Sequence, residues 1–172
     1  MPDFSDFARP LTETFSSELQ SAVVAAPLPS LGDGSPQPDL MRLLEGGIGD
    51  HLIGVPPARQ MECLSGLWLV AGDIHRSHSI SQDIGSAEGS FWHGIMHRRE
   101  GDFGNAKYWF RRVGDHPAFE QIRQETDGHY DDPFDFVDVC QQAIRSRDDE
   151  AIDRCVASQW IEWQALIGYI VR

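Results

Sequence analysis

The stretch SAEGSFWHGIMHRREGDFGNAKYWFRRV, residues 86–113, decides the fold. It lacks the alternation of polar and apolar residues that a strand face requires, and its apolar positions recur at helical spacing instead. Ser86 or Ser90 opens a helix that runs through Phe91, Trp92 and His93 to Glu100. Gly101 ends it, because glycine adopts the left-handed conformation after a helix without a Cβ penalty, and Asp102 caps the next helix through Val113. On that second helix Phe103, Ala106, Phe110 and Val113 form an apolar face, and Asn105, Tyr108, Trp109 and Arg112 form the other.

The same punctuation recurs on both sides. Pro57 fits the first turn of a helix reaching Ala71, since its missing N–H is not needed there. Gly72 then stops that helix and Asp73 caps another, over 74–84. Gly72-Asp73 and Gly101-Asp102 are thus 29 residues apart, and Arg147-Asp148 is a looser third copy. Gly114 and Pro117 break the chain before a short helix over 118–124. Pro133 starts a helix to about Arg147, and the last helix runs from Asp148 or Asp149 to near Ile170, striped by Trp160, Trp163, Leu166, Ile167 and Ile170. Toward the N-terminus, Phe7, Leu11, Phe15 and Leu19 predict one amphipathic helix within 1–26. The Pro- and Gly-rich segment 27–39 reads as a linker detaching it from a helical body over 40–172, where Asp39 caps a short helix halted by Gly46 and Gly47. The expectation is a single all-α domain of six to eight helices with antiparallel hairpins at its centre.

Two resemblances attach to this pattern. Helix, Gly-Asp turn, then a helix with a small residue (Ala106) near its start resembles the tetratricopeptide repeat over residues 57–113, at a period shorter than that family's 34. Gly89 to Arg112, preceded by Ser77-His78-x-Ile80-x-Gln82, resembles an uncharacterised family of bacterial and fungal proteins. That resemblance implies a shared fold and carries no catalytic residue over.

Composition narrows the function classes. The chain has 172 residues, 41% hydrophobic and 24% charged, which suits one folded domain. No apolar run approaches the roughly 18 residues of a membrane span, so no membrane association is expected. The start, Met-Pro-Asp-Phe-Ser-Asp, has neither the basic nor the apolar region of a secretory signal. Cys63, Cys140 and Cys155 are an odd number at wide spacing, as for buried thiols of a reducing compartment, and the expected location is cytoplasmic. A net charge of −13 argues against nucleic-acid binding. Within that acidic chain Arg98, Arg99, Lys107, Arg111 and Arg112 face only Glu100 and Asp102 over residues 98–112, an island that either receives a small anion or pairs with the protein's own carboxylates. Lys107, the only lysine, reads as the remnant of an arginine bias rather than a Schiff-base amine.

Four of the seven histidines fall within residues 75–97. At about 100° per residue, His93, His97 and Glu100 share one stripe of their helix, and His75, His78 and Gln82 share one on the helix before. If both stripes face a common groove, His75, His78, His93, His97 and Glu100 form a set suited to a divalent transition metal that activates water. The zinc-hydrolase pattern is incomplete, since Gly94 rather than glutamate follows His93. The plain alternative is that these imidazoles hydrogen-bond carbonyls or Glu100. A second reading is a binding module in which Arg98, Arg99, Asn105, Tyr108, Trp109 and Arg111 receive a small anionic or aromatic ligand or a peptide. A third is a partner protein or homodimer using Trp160 and Trp163. Nucleotide-binding, P-loop and nucleophile-elbow motifs are absent from the sequence.

Overall fold

The repeated turns set the architecture. In a computed structural model describing residues 3–172, Gly72 (φ 77°) and Gly101 (φ 82°) are both left-handed, and the N–H groups of Asp73 and Asp102 reach back to the carbonyls of Trp68 and His97. Asp73 and Asp102 then accept from the N–H of Arg76 and Asn105, so each turn stops one helix and caps the next. The third copy shares the left-handed residue and the cap without glycine: Arg147 takes φ 54° and Asp148 accepts from Ala151 N–H.

Among the described residues the chain forms ten α-helices and two short 3-10 turns, with no strand. The helices are α1 (Arg9–Thr14), α2 (Ser17–Ala25), α3 (Pro38–Gly47), α4 (Pro57–Val70), α5 (Ile74–Ser81), α6 (Ala87–Glu100), α7 (Phe103–Val113), α8 (Pro117–Glu125), α9 (Pro133–Ser146) and α10 (Asp149–Ile170). The fold is all-α, as the spacing predicts. None of these helices is long and apolar enough to cross a membrane. Side-chain pairs show α4, α5, α6 and α7 folding back on one another in turn: Ser65 meets Ser77, Ser81 meets His93, and the Gly94 backbone lies against the Phe110 ring.

The first 26 residues depart from the expected single helix, whose residues 1 and 2 lie outside the described region. Phe15 is extended and Ser16 starts a new helix by accepting from Leu19 N–H, which raises the helix count to ten. Nor is this segment detached. Leu11, Phe15, Leu19 and Val23 are core residues. The segment 27–37 is a strap whose carbonyls are used: Pro29 and Ser30 accept from Gln159, Gly32 and Asp33 accept from Arg99, and Gln37 N–H donates to Ala71. Proline and glycine signalled irregular backbone correctly, but the backbone is pinned by buried donors.

Trp160 and Trp163 do not form an outer surface. They are buried and stacked at 4.9 Å, with Trp160 Nε1 donating to the Asp3 carbonyl and Trp163 Nε1 to that of Gly66. Phe4 stacks over Trp160 at 6.2 Å, so the N-terminal segment covers that ring. Cys63, Cys140 and Cys155 are free and buried.

Candidate metal centre

Helix α6 lies at the middle of the molecule, and every residue from Glu88 to Arg99 is buried. A helix covered on all sides must answer its polar side chains from within, because an unpaired buried polar group costs free energy. The answers differ residue by residue and sort the predicted site residues.

Arg98 and Arg99, expected to contact a ligand, are both committed internally. Arg98 pairs with Glu162, one bond measuring 3.0 Å, and donates to Gln159 Oε1 at 3.2 Å; its guanidinium lies 4.7 Å over the Phe136 ring. The Tyr130 hydroxyl donates to Glu162 at 2.8 Å, completing a buried cluster. Arg99 donates to the carbonyls of Gly32, Leu69 and Asp33 at 2.9, 2.8 and 3.0 Å. Lys107 pairs with Asp138 across to α9. Much of the basic island is therefore used for internal pairing. Arg111 and Tyr108 are exposed, and they do not converge with Arg98 and Arg99 on one hollow.

The imidazoles do converge. One ring nitrogen each of His78, His93 and His97 lies within 4.8 Å of the others. Ring centroids are 4.7 Å apart for His78 and His93, 5.4 Å for His78 and His97, and 4.8 Å for His93 and His97. The geometry arises because α5 and α6 run antiparallel: His78 sits across from His97, and Ser81 from His93, while His93 and His97 are one turn apart. Trp109 of α7 closes one side, stacked on His93 at 3.9 Å. His75 belongs to the predicted stripe but is exposed and outside the cluster. Glu100 is also outside the trio and bonds to the His97 ring instead.

Neighbouring polar groups engage one nitrogen of each buried ring. The Ser81 hydroxyl lies 3.2 Å from both the His78 carbonyl and His93 Nδ1. His93 Nδ1 is thus the ring nitrogen engaged by the hydroxyl, and Nε2 is the other one. The Glu100 carboxylate can only accept, so His97 Nδ1 at 3.1 Å is the protonated nitrogen of that ring. The Asn105 amide Nδ2 lies 3.0 Å from His97 Nε2 and 3.5 Å from its Nδ1, over the ring. A carboxylate or hydroxyl on the far nitrogen is the arrangement that orients histidine toward a metal.

Charge state agrees. Burial, then the neighbouring His97 and His78, hold His93 down to about 3. Burial also lowers His97, against the opposing pull of Glu100. Both rings are neutral at pH 7, as metal ligation requires. The remaining histidines have structural partners: His116 caps α8 by accepting from Ala118 N–H, His51 meets Ser16, and His129 meets Ser158.

What the sequence reading missed is Glu162, an acid set between Trp160 and Trp163 in an apolar stripe. That placement was the available signal for a buried counter-charge. Asn105 was read as a ligand contact, and its neighbour in the structure is His97 rather than an anion pocket. Compared with models of known families, with characterised proteins and with solved structures, the chain finds no match.

Proposed function

We propose that this protein binds one divalent transition metal ion, zinc by preference, through His78, His93 and His97. The observation carrying this reading is the convergence of three imidazoles, the two buried ones having Nδ1 engaged by Ser81 and Glu100 so that Nε2 is the nitrogen left for an ion. Imidazole suits zinc, copper, nickel and iron, and tetrahedral zinc sites use nitrogen ligands at about 2.0–2.1 Å. Such a tetrahedron has edges of about 3.3 Å. Nitrogens spread over 4.8 Å would thus close by up to about 1.5 Å as the ion enters, a movement within reach of side-chain adjustment.

The reading in which the groove takes a small anionic or aromatic ligand is weaker, because Arg98 and Arg99 are buried and their terminal guanidinium nitrogens bond Glu162, Gln159 and backbone carbonyls. The hydrolase reading requires a water in the fourth coordination position. Metal content after dialysis against zinc, measured by elemental analysis on the whole chain, is the test. One ion per chain is expected, lost on replacing His93 and His97 by alanine in protein that retains its helical circular dichroism. Wild-type protein without stoichiometric metal, or a double variant that keeps it, overturns the proposal.

A further inference from the structure

We infer that the cavity beneath the 27–37 strap binds a short-chain carboxylate, with the Arg99 guanidinium holding the carboxylate group. The walls of this cavity are the strap, the end of α4 and Arg99, not the α5–α7 groove, and no histidine of the trio lines it. The inference is independent of the metal reading.

Arg98 and Arg99 both have hydrogen-bond partners, yet only Arg98 has a counter-charge. Arg98 faces the Glu162 carboxylate, whereas Arg99 forms no ion pair among the described residues. All three of its bonds end on carbonyls, those of Gly32, Leu69 and Asp33, which are neutral acceptors. A buried charge left without an opposite charge is costly. Burial and then the neighbouring Arg98 accordingly hold Arg99 down to about 10, still charged at pH 7. Asp33 pulls the other way, but it is an exposed residue and forms no ion pair with Arg99.

A guanidinium has five N–H groups and three are used here, so each terminal nitrogen keeps one hydrogen. Beside it lies a cavity of about 200 Å³. Gly34 borders that cavity at the Nη2 end of Arg99: a Cβ at 34 would stand 2.9 Å from Nη2, so glycine keeps that side open. Ser30 and Ser35, both exposed, also line it, which puts its mouth at the surface. Ser30 Oγ accepts from Gly32 N–H at 3.3 Å and retains its own hydrogen to donate. Leu28, Leu69 and Val70 make an apolar wall. A cationic fork, hydroxyls and an apolar wall together match a carboxylate on a hydrocarbon tail better than an inorganic oxyanion, which would leave that wall unmatched. The volume is below the roughly 300–1,000 Å³ of pockets for drug-sized ligands, which limits the tail to a few carbons. The bound carboxylate would give Arg99 what Glu162 gives Arg98.

Butyrate and inorganic phosphate, titrated separately into the isotope-labelled whole chain at constant ionic strength, test this through amide chemical shifts. Butyrate should shift amides of the strap and of residues 69–72 saturably. Arg99→Met should weaken butyrate at least about tenfold, the loss of a charged hydrogen bond. Because Arg99 also pins the strap, a second pair of variants sits at the exposed mouth. Ser35→Glu should weaken butyrate several-fold, most at low salt, and Ser35→Gln, of equal length but neutral, should not. No saturable butyrate shift, shifts confined to another region, wild-type affinity in a folded Arg99→Met chain, or equal binding by Ser35→Glu and Ser35→Gln overturns the site. Phosphate saturating the same amides more tightly than butyrate overturns the choice of a carboxylate ligand.

Discussion

Replacing Arg98 by methionine keeps most of the side chain's apolar stem and removes a charge that touches nothing outside the protein. Arg98 and Glu162 are both essentially sealed, with side-chain exposures of 1% and 0%. Without Arg98 the Glu162 carboxylate keeps only the Tyr130 hydroxyl, and Gln159 loses a donor. Breaking a buried pair from one side costs about 3–5 kcal/mol, because the surviving charge is left uncompensated. With a urea m-value of about 2 kcal/mol/M, the unfolding midpoint should fall by about 1.5–2.5 M. The pair Arg98→Met with Glu162→Leu removes both charges and should recover most of that loss. A deficit of about 1–2 kcal/mol should remain from the orphaned Tyr130 hydroxyl. Urea unfolding of the two single variants and the double, followed by circular dichroism, gives the coupling energy directly. A single-variant cost below about 1 kcal/mol, or strictly additive losses, would refute the buried-pair argument and return Arg98 to the list of residues free to meet a ligand.

Arg147 holds the left-handed position that glycine holds in the two sister turns, so Arg147→Gly should stabilise the protein by about 0.5–1 kcal/mol, read as a rise in Tm. At Gly66 an added Cβ would stand 2.6 Å from the Trp92 ring. Gly66→Ala should therefore cost about 1–3 kcal/mol and alter the near-ultraviolet circular dichroism of the tryptophans. His93 is held down to about 3 in the fold, against 6.5 for an ordinary histidine, so below 6.5 the unfolded chain binds a proton that the folded one refuses. Stability of the metal-free protein should accordingly be level above pH 6.5 and fall as pH drops from there, with His97 adding in the same direction. Urea midpoints at pH 7 and pH 5 check this, and His93→Gln should flatten the difference; a midpoint that rises on acidification contradicts it.

Helix boundaries were legible because capping is local. Asp73, Ser86, Asp102 and Asp148 each bond an N–H within three residues of themselves, so sequence neighbours carry the whole signal. Ser81 and His93 were harder to pair, and Arg98 and Glu162, separated by 64 positions, harder still. Helical spacing placed His75 and His78 in one sector with equal claims. Only the packing of the short helix α5 against α6 turns His78 inward and leaves His75 in solvent. Charge on a helix likewise does not reveal whether its partner is water or a residue from a distant element. The arginines of α6 looked like a ligand surface for that reason, and the strap at 27–37 looked detached because its carbonyls have no one-dimensional mark of being wanted by Arg99.

The location of the candidate centre follows from how α6 is enclosed. Arg98 and Arg99 are long enough to reach past their neighbours to a carboxylate on α10 and carbonyls on the strap and α4. An imidazole has no such reach. His93 and His97 must be satisfied by whatever α5, α7 and the end of α6 place beside them, which is one hydroxyl, one carboxylate and one amide. The hydroxyl and the carboxylate engage the Nδ1 atoms, and the amide lies against the His97 ring. His93 Nε2 makes no hydrogen bond among the described residues, and it is not among the fully sealed orphans, which on α6 are Trp92 Nε1 and Arg98 Nε. A ring nitrogen that is unpaired yet not sealed, beside two more imidazoles, is what the proposed ion would use. Packing alone would be served as well by leucine at these positions. The physical case for a metal is that leucine is not what stands there.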